Sequence, residues 1–185
     1  MEPLAIVDLM MRGGAAGVSF ILAASLAYRA ATSSIARFGG LFAFGSACYA
    51  VASAPAMAEA LPGLVAVLKP VAISTGVFFW WFALAMFCDL KRWAWSRLVP
   101  FFLVFGCAAL APLLAGPGWV RITHLLTESL TVVLMIHVIV IITLGSEDDL
   151  VEPRRKFRTV WAGAISLTVL AVCAAEIWSL FQSTP

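Results

Sequence analysis

The stretch Arg121-Ile122-Thr123-His124-Leu125-Leu126-Thr127-Glu128 puts a guanidinium, an imidazole and a carboxylate into an otherwise apolar run. His124 and Glu128 are four residues apart, so on a helix both project from one face, with Arg121 about one turn earlier. A second carboxylate, Glu176, interrupts the last apolar run of the chain. Ionisable groups in a segment long enough to cross a bilayer are costly there, and face a bundle interior or a wet cavity. Two outcomes are open. Arg121, His124, Glu128 and Glu176 can line a polar, ligand-binding pocket in which the imidazole titrates near neutrality. Alternatively they form structural pairs between helices, Arg121 with Glu128 or His124 with Glu176.

The remaining candidates point away from catalysis. His137 lies 13 residues beyond His124, about 20 Å along a helix and about 220° around it. The two cannot share a metal or a haem unless another helix supplies partners, and a lone histidine reads as a hydrogen-bonded packing residue. Cys48, Cys88, Cys107 and Cys173 contain no C-x-x-C pair and lie within or at the end of apolar runs. They read as reduced packing residues, with neither a disulfide nor a zinc set expected. The run Phe78-Phe79-Trp80-Trp81-Phe82 reads as packing rather than a binding pocket. Ser74, Thr75 and Gly76, and Gly39, Gly40 and Gly45, suit close approach of helices. No nucleophile elbow, P-loop, H-E-x-x-H or dinucleotide fingerprint occurs. No catalytic residue, metal or cofactor is expected.

What positions these groups follows from composition. Of the 185 residues 63% are hydrophobic and only 12% charged, and mean hydropathy is +1.01. A soluble domain carries about 25% charge, so lipid is the expected solvent. A span needs roughly 20 apolar residues. Six are expected, at approximately 4–28, 35–57, 64–88, 98–115, 119–144 and 157–181. The fourth is expected to close at Gly116-Pro117-Gly118, and Pro153 to sit in the first turn leading into the sixth. The fold class is thus all-α, a single polytopic transmembrane helix bundle over 1–185. The apolar runs lack the alternation of a membrane β-barrel. No cleaved leader is expected, since the first residues lack a basic start and an A-x-A site.

Orientation follows from Lys and Arg in the short loops. Arg29, Arg37, Lys91, Arg92, Arg97, Arg154, Arg155, Lys156 and Arg158 fall on one side; Arg12, Lys69 and Arg121 fall on the other. The first set marks the cytoplasm, so both chain ends are expected outside. Trp93, Trp95 and Trp161 then fall at the inner interface, and Trp119 and Trp178 at the outer one, as an aromatic belt requires. At about 1.5 Å per residue, His124 lies roughly 7 Å below the outer surface, Glu128 about 13 Å and Glu176 about 7 Å. The acidic-basic loop around Asp148 and Asp149 reads as solvated.

Two stretches carry a resemblance. Phe79-Trp80-Trp81-Phe82-Ala83-Leu84-Ala85-Met86-Phe87-Cys88-Asp89 closes the third span, and Asp148-Asp149-Leu150-Val151-Glu152-Pro153-Arg154-Arg155-Lys156-Phe157-Arg158 joins the last two. With Cys48-Tyr49-Ala50-Val51-Ala52-Ser53-Ala54-Pro55, they resemble the membrane half of bacterial AraC-type transcription regulators. In that family about seven helices precede a cytoplasmic helix-turn-helix domain. The resemblance implies a sensor or regulatory domain in the bacterial inner (cytoplasmic) membrane. This chain departs from it in having neither a seventh span nor a helix-turn-helix pattern. Direct nucleic-acid binding is therefore not expected. The expected partners are the lipid bilayer and a partner protein or separately encoded output domain. The alternatives are a small membrane transporter or membrane enzyme, which the same buried charges would serve, and a structural or degenerate membrane bundle.

Overall fold

In the computed structural model, residues 3–88, 94–110, 117–144 and 152–182 are described. They are helical almost throughout, and no strand occurs among them. The helices are α1 (Pro3–Ala27), α2 (Ser34–Ala52), α3 (Pro55–Ala60), α4 (Pro62–Ile73), α5 (Thr75–Phe87), α6 (Val99–Leu110), α7 (Pro117–Leu144) and α8 (Glu152–Gln182). A turn of 3-10 helix, Trp95–Leu98, leads into α6. Ile6–Ala27, Ser34–Ala52, Pro62–Phe87, Gly118–Thr143 and Val160–Trp178 are each long and apolar enough to cross a membrane. The protein is an all-α membrane protein. The fourth expected span, 98–115, appears as the shorter apolar helix Trp95–Leu110, with 111–116 outside the described residues.

Proline sets several boundaries. Pro55, Pro62 and Pro117 all stand in the first turn of a helix, where the missing N–H costs nothing. Pro117-Gly118 therefore opens α7 rather than closing the preceding span, and α2 ends at Ala52 rather than running to 57. Pro70 acts differently because it lies inside α4. It has no N–H to donate and crowds the preceding turn. Its carbonyl accepts both the Ser74 N–H, at 3.2 Å, and the Ser74 hydroxyl, at 2.8 Å. The Thr75 hydroxyl donates to the Ala72 carbonyl at 2.7 Å. The third span is thus broken at Ser74, and hydroxyls satisfy carbonyls near the break, as a backbone in lipid requires.

The chain divides into two compact units, Met1–Phe79 and Trp80–Pro185. In the first, α2 packs against α1 and α4. Ser33 caps α2, accepting from the Ala36 N–H at 3.2 Å, and the Arg37 Nε donates to the Ala30 carbonyl at 3.1 Å. These bonds tie down the short loop between α1 and α2. Glycine decides how closely the helices approach. A Cβ at Gly45 would lie 2.7 Å from the Thr75 hydroxyl and 2.9 Å from the Phe78 ring. Only a residue without a side chain admits that contact. The Phe42 and Phe79 rings meet beside it at 5.1 Å between centroids.

In the second unit, α7 packs against α6 and α8. The aromatic run is a packing feature, as its composition suggests: Trp80 and Trp81 are buried. Each indole N–H has a partner. Trp81 Nε1 donates to the Arg97 carbonyl at 2.9 Å, and Trp80 Nε1 to His137 Nδ1 at 2.8 Å. Phe82 meets Trp161 edge-on at 5.7 Å, and Trp81 meets Phe101 at 5.6 Å. Asp89, Lys91, Arg92, Trp93 and the acidic loop through Asp148 and Asp149 lie outside the described residues.

Candidate functional site

The α7–α8 pair buries an unusual face. Apolar helices gain little from hiding side chains from lipid, so small and polar residues decide where they meet. On α7 the buried positions include Thr127, Thr131, Leu134, Met135 and Val138; on α8 they are Ala162, Ser166 and Cys173. The hydroxyls bond within their own helix: Thr127 to the His124 carbonyl at 2.8 Å, Thr131 to the Thr127 carbonyl at 2.9 Å, and Ser166 to the Ala162 carbonyl at 2.9 Å. These three buried hydroxyls are thus bonded, where a lone one would cost roughly 1–3 kcal/mol.

The ionisable groups lie on the same two helices. Cys173 of α8 is buried, and the carboxylates near its thiol are Glu128 of α7 and Glu176 of its own helix. Glu128 and Arg121 are half-buried, while Glu176, near the end of its span, is exposed. His124 is half-buried, and its Nδ1 is sealed from solvent with no hydrogen-bond partner. Of the four residues singled out in the sequence, Glu128 and Glu176 both lie near the Cys173 thiol. His124 and Arg121 occupy the turns of α7 that precede Glu128.

Cys173 is the reduced, buried packing residue that the sequence suggests, but its nearness to Glu128 was not foreseen. Its position three before Glu176 was the available signal, since that spacing puts both on one helix face. His137 matches the expectation for a lone histidine. Its Nδ1 accepts from Trp80, so the neutral ring carries its proton on Nε2. No group of three or more His, Cys, Asp or Glu suited to a metal occurs among the described residues.

Compared with known proteins, this chain matches no family model, no curated protein and no solved structure. The geometry of α7 and α8 therefore bears the weight of any functional reading. That geometry offers two carboxylates of different exposure near a buried thiol, with an imidazole and a guanidinium on adjacent turns. Such a set can bind and release protons or hold a small polar ligand. The thiol itself is buried, the setting of an inert cysteine.

Proposed function

We propose that this chain is a multi-pass sensor or regulatory domain of the bacterial inner membrane, and that the α7–α8 cluster is its sensing site. The observation that carries the reading is the set of ionisable side chains, Arg121, His124 and Glu128 on α7 and Glu176 on α8, within two helices long and apolar enough to cross a membrane, with the unpartnered, solvent-sealed His124 Nδ1 among them. Lipid-embedded ionisable groups are expensive, and a cluster of them marks a working site more readily than a packing one. The nine basic residues of the alternate loops, against three elsewhere, support an amino terminus outside and a cluster in the outer half of the membrane. A ligand that prefers one arrangement of α7 and α8 shifts the balance between two states. Output then passes through a partner protein or a separately encoded output domain, in keeping with the resemblance to the membrane half of AraC-type regulators.

The test is complementation of a deletion in the native organism. Wild type, His124→Gln, Glu128→Gln and Glu176→Gln are compared at matched membrane abundance. The wild type restores the transcript profile, and at least the Glu128 variant does not. If all three variants restore it fully, the sensing site is elsewhere or absent.

A transporter reading rests on a different observation, the interruption of the third span at Ser74 with carbonyls taken up by hydroxyls. Broken helices of that kind line solute sites in secondary transporters. Solute flux in proteoliposomes, abolished by replacing Ser74 and Thr75 with alanine, would favour it over sensing.

A further inference from the structure

A cavity of about 390 Å³ lies between the second half of α1 and the first half of α2. Its size is within the roughly 300–1,000 Å³ range of small-molecule sites. Small residues make its floor: Ala23 and Ala27 of α1, and Gly40 of α2. Phe20, Leu41 and Phe44 form walls that are themselves exposed, so the cavity opens sideways to the surroundings of the helices. Along α2 it runs from Arg37 to Phe44, about 10 Å at 1.5 Å per residue. Apart from Ala30, the lining residues belong to helices long and apolar enough to cross a membrane, where the side opening would face acyl chains.

Arg37 gives the cavity a polar end. Its Nε is held by the Ala30 carbonyl at 3.1 Å, which fixes an exposed guanidinium at the rim where the α1–α2 loop begins. Both terminal nitrogens of that guanidinium remain as donors, the geometry that suits a phosphate. Arg29 lies in the same loop and is exposed. The chain has no Asp or Glu between Asp8 and Glu59, so no nearby carboxylate in the sequence offsets these two charges.

An apolar slot open to acyl chains and capped by fixed positive charge has the complementary form of one ligand class. We infer that this groove binds a single anionic phospholipid, its acyl chain along Ala23, Ala27 and Gly40 and its headgroup phosphate on Arg37. The two parts of the site select differently. The slot accepts any diacyl lipid, and the guanidinium distinguishes an anionic headgroup from a zwitterionic one. The inference does not depend on the α7–α8 cluster; it shares with the proposed function only the orientation, which puts the groove in the inner leaflet.

Native mass spectrometry of the full detergent-solubilised chain tests it, with phosphatidylglycerol and phosphatidylcholine supplied in equal amounts. The wild type retains one phosphatidylglycerol, preferred about fivefold, the effect of one basic side chain at an anionic headgroup. Arg37→Gln abolishes the preference. Ala24→Phe, which fills the groove and keeps both arginines, abolishes retention of either lipid. Circular dichroism confirms that the helices persist in each variant, and Arg29→Gln supplies a second loss of charge should Arg37→Gln not fold. Equal retention of the two lipids by the wild type, retention unchanged by Ala24→Phe, or a lipid-free dimer would overturn the inference.

Discussion

The α1–α2 pair and the α7–α8 pair solve the same problem with different materials. Both join two membrane-crossing helices without the hydrophobic drive that holds soluble helices together. The α1–α2 pair does so with small residues. Gly40 brings α2 to ordinary contact with Ala23, Leu26 and Ala27 of α1, at 3.6–4.0 Å from where its Cβ would stand. Its polar bonds are at the edges, where Arg12 reaches Asp8 at 2.9 Å and the Ser53 hydroxyl at 2.7 Å. The α7–α8 pair instead carries hydroxyls, a thiol and a carboxylate within its contact face. Polar groups at an edge can exchange partners with water and lipid headgroups. Those between helices cannot, so their protonation and bonding are tied to how the helices pack. That difference is why the sensing role is assigned to α7–α8 and the lipid site to α1–α2.

Substitution at Gly45 should have the largest effect. Alanine there meets Thr75 and Phe78 at distances that real side chains do not show, so the helix must shift, at about 1–3 kcal/mol. Gly17→Ala on α1, where nothing lies within 4 Å, should leave stability unchanged or raise it. Denaturant unfolding in mixed micelles compares the two. Equal losses would show that close helix approach does not organise the first unit.

Next comes Trp80→Phe, which keeps the ring but removes the donor to His137 Nδ1, for a loss of about 1 kcal/mol. His137→Gln in the same background should add little, and a double-mutant cycle reads that coupling directly.

Cys173→Ala should cost about 0.6 kcal/mol, the typical worth of an interhelical hydrogen bond in lipid, while Cys173→Ser keeps a donor near Glu128 and costs less. The alanine effect should disappear when Glu128 is already glutamine or leucine. If it persists, the thiol is only filling space and the α7–α8 face is packing like any other.

The smallest change is expected at the edge of α1. Ser53→Ala removes one bond to Arg12, whose side chain is 34% exposed and also paired with Asp8, so the loss should stay below about 0.5 kcal/mol. A loss as large as that at Cys173 would erase the distinction between edge and interior.

The spans were legible because a peptide group in hydrocarbon must be bonded within its own helix, and runs of about 20 apolar residues betray that need. The Asp8–Arg12 pair was readable from its i,i+4 spacing alone. The break at Ser74 was only half visible. Pro70 signals an interruption, but which carbonyls are taken up, and by which hydroxyls, depends on local geometry. The opening of α7 at Pro117 was hidden because Gly-Pro-Gly ends one helix as readily as it starts another. In the candidate site, spacing singled out Arg121, His124 and Glu128 of α7, and the interruption of an apolar run singled out Glu176 of α8. The nearness of Cys173 to Glu128 stayed hidden because a thiol in an apolar run has the composition of a packing residue until its neighbour on another helix is known.

The claim on which the account turns is that the carboxylates of α7 and α8 sit in a site reached from outside the cell. Single cysteines at positions 124, 128 and 176, in a chain with Cys48, Cys88 and Cys107 as alanine and Cys173 as serine, can be probed with a membrane-impermeant thiol reagent. Reaction from the outer face of sealed vesicles at 176 and 124, slower at 128, and none from the inner face is the predicted result. Reaction only from the inner face would contradict both the orientation and the outward-facing sensing site.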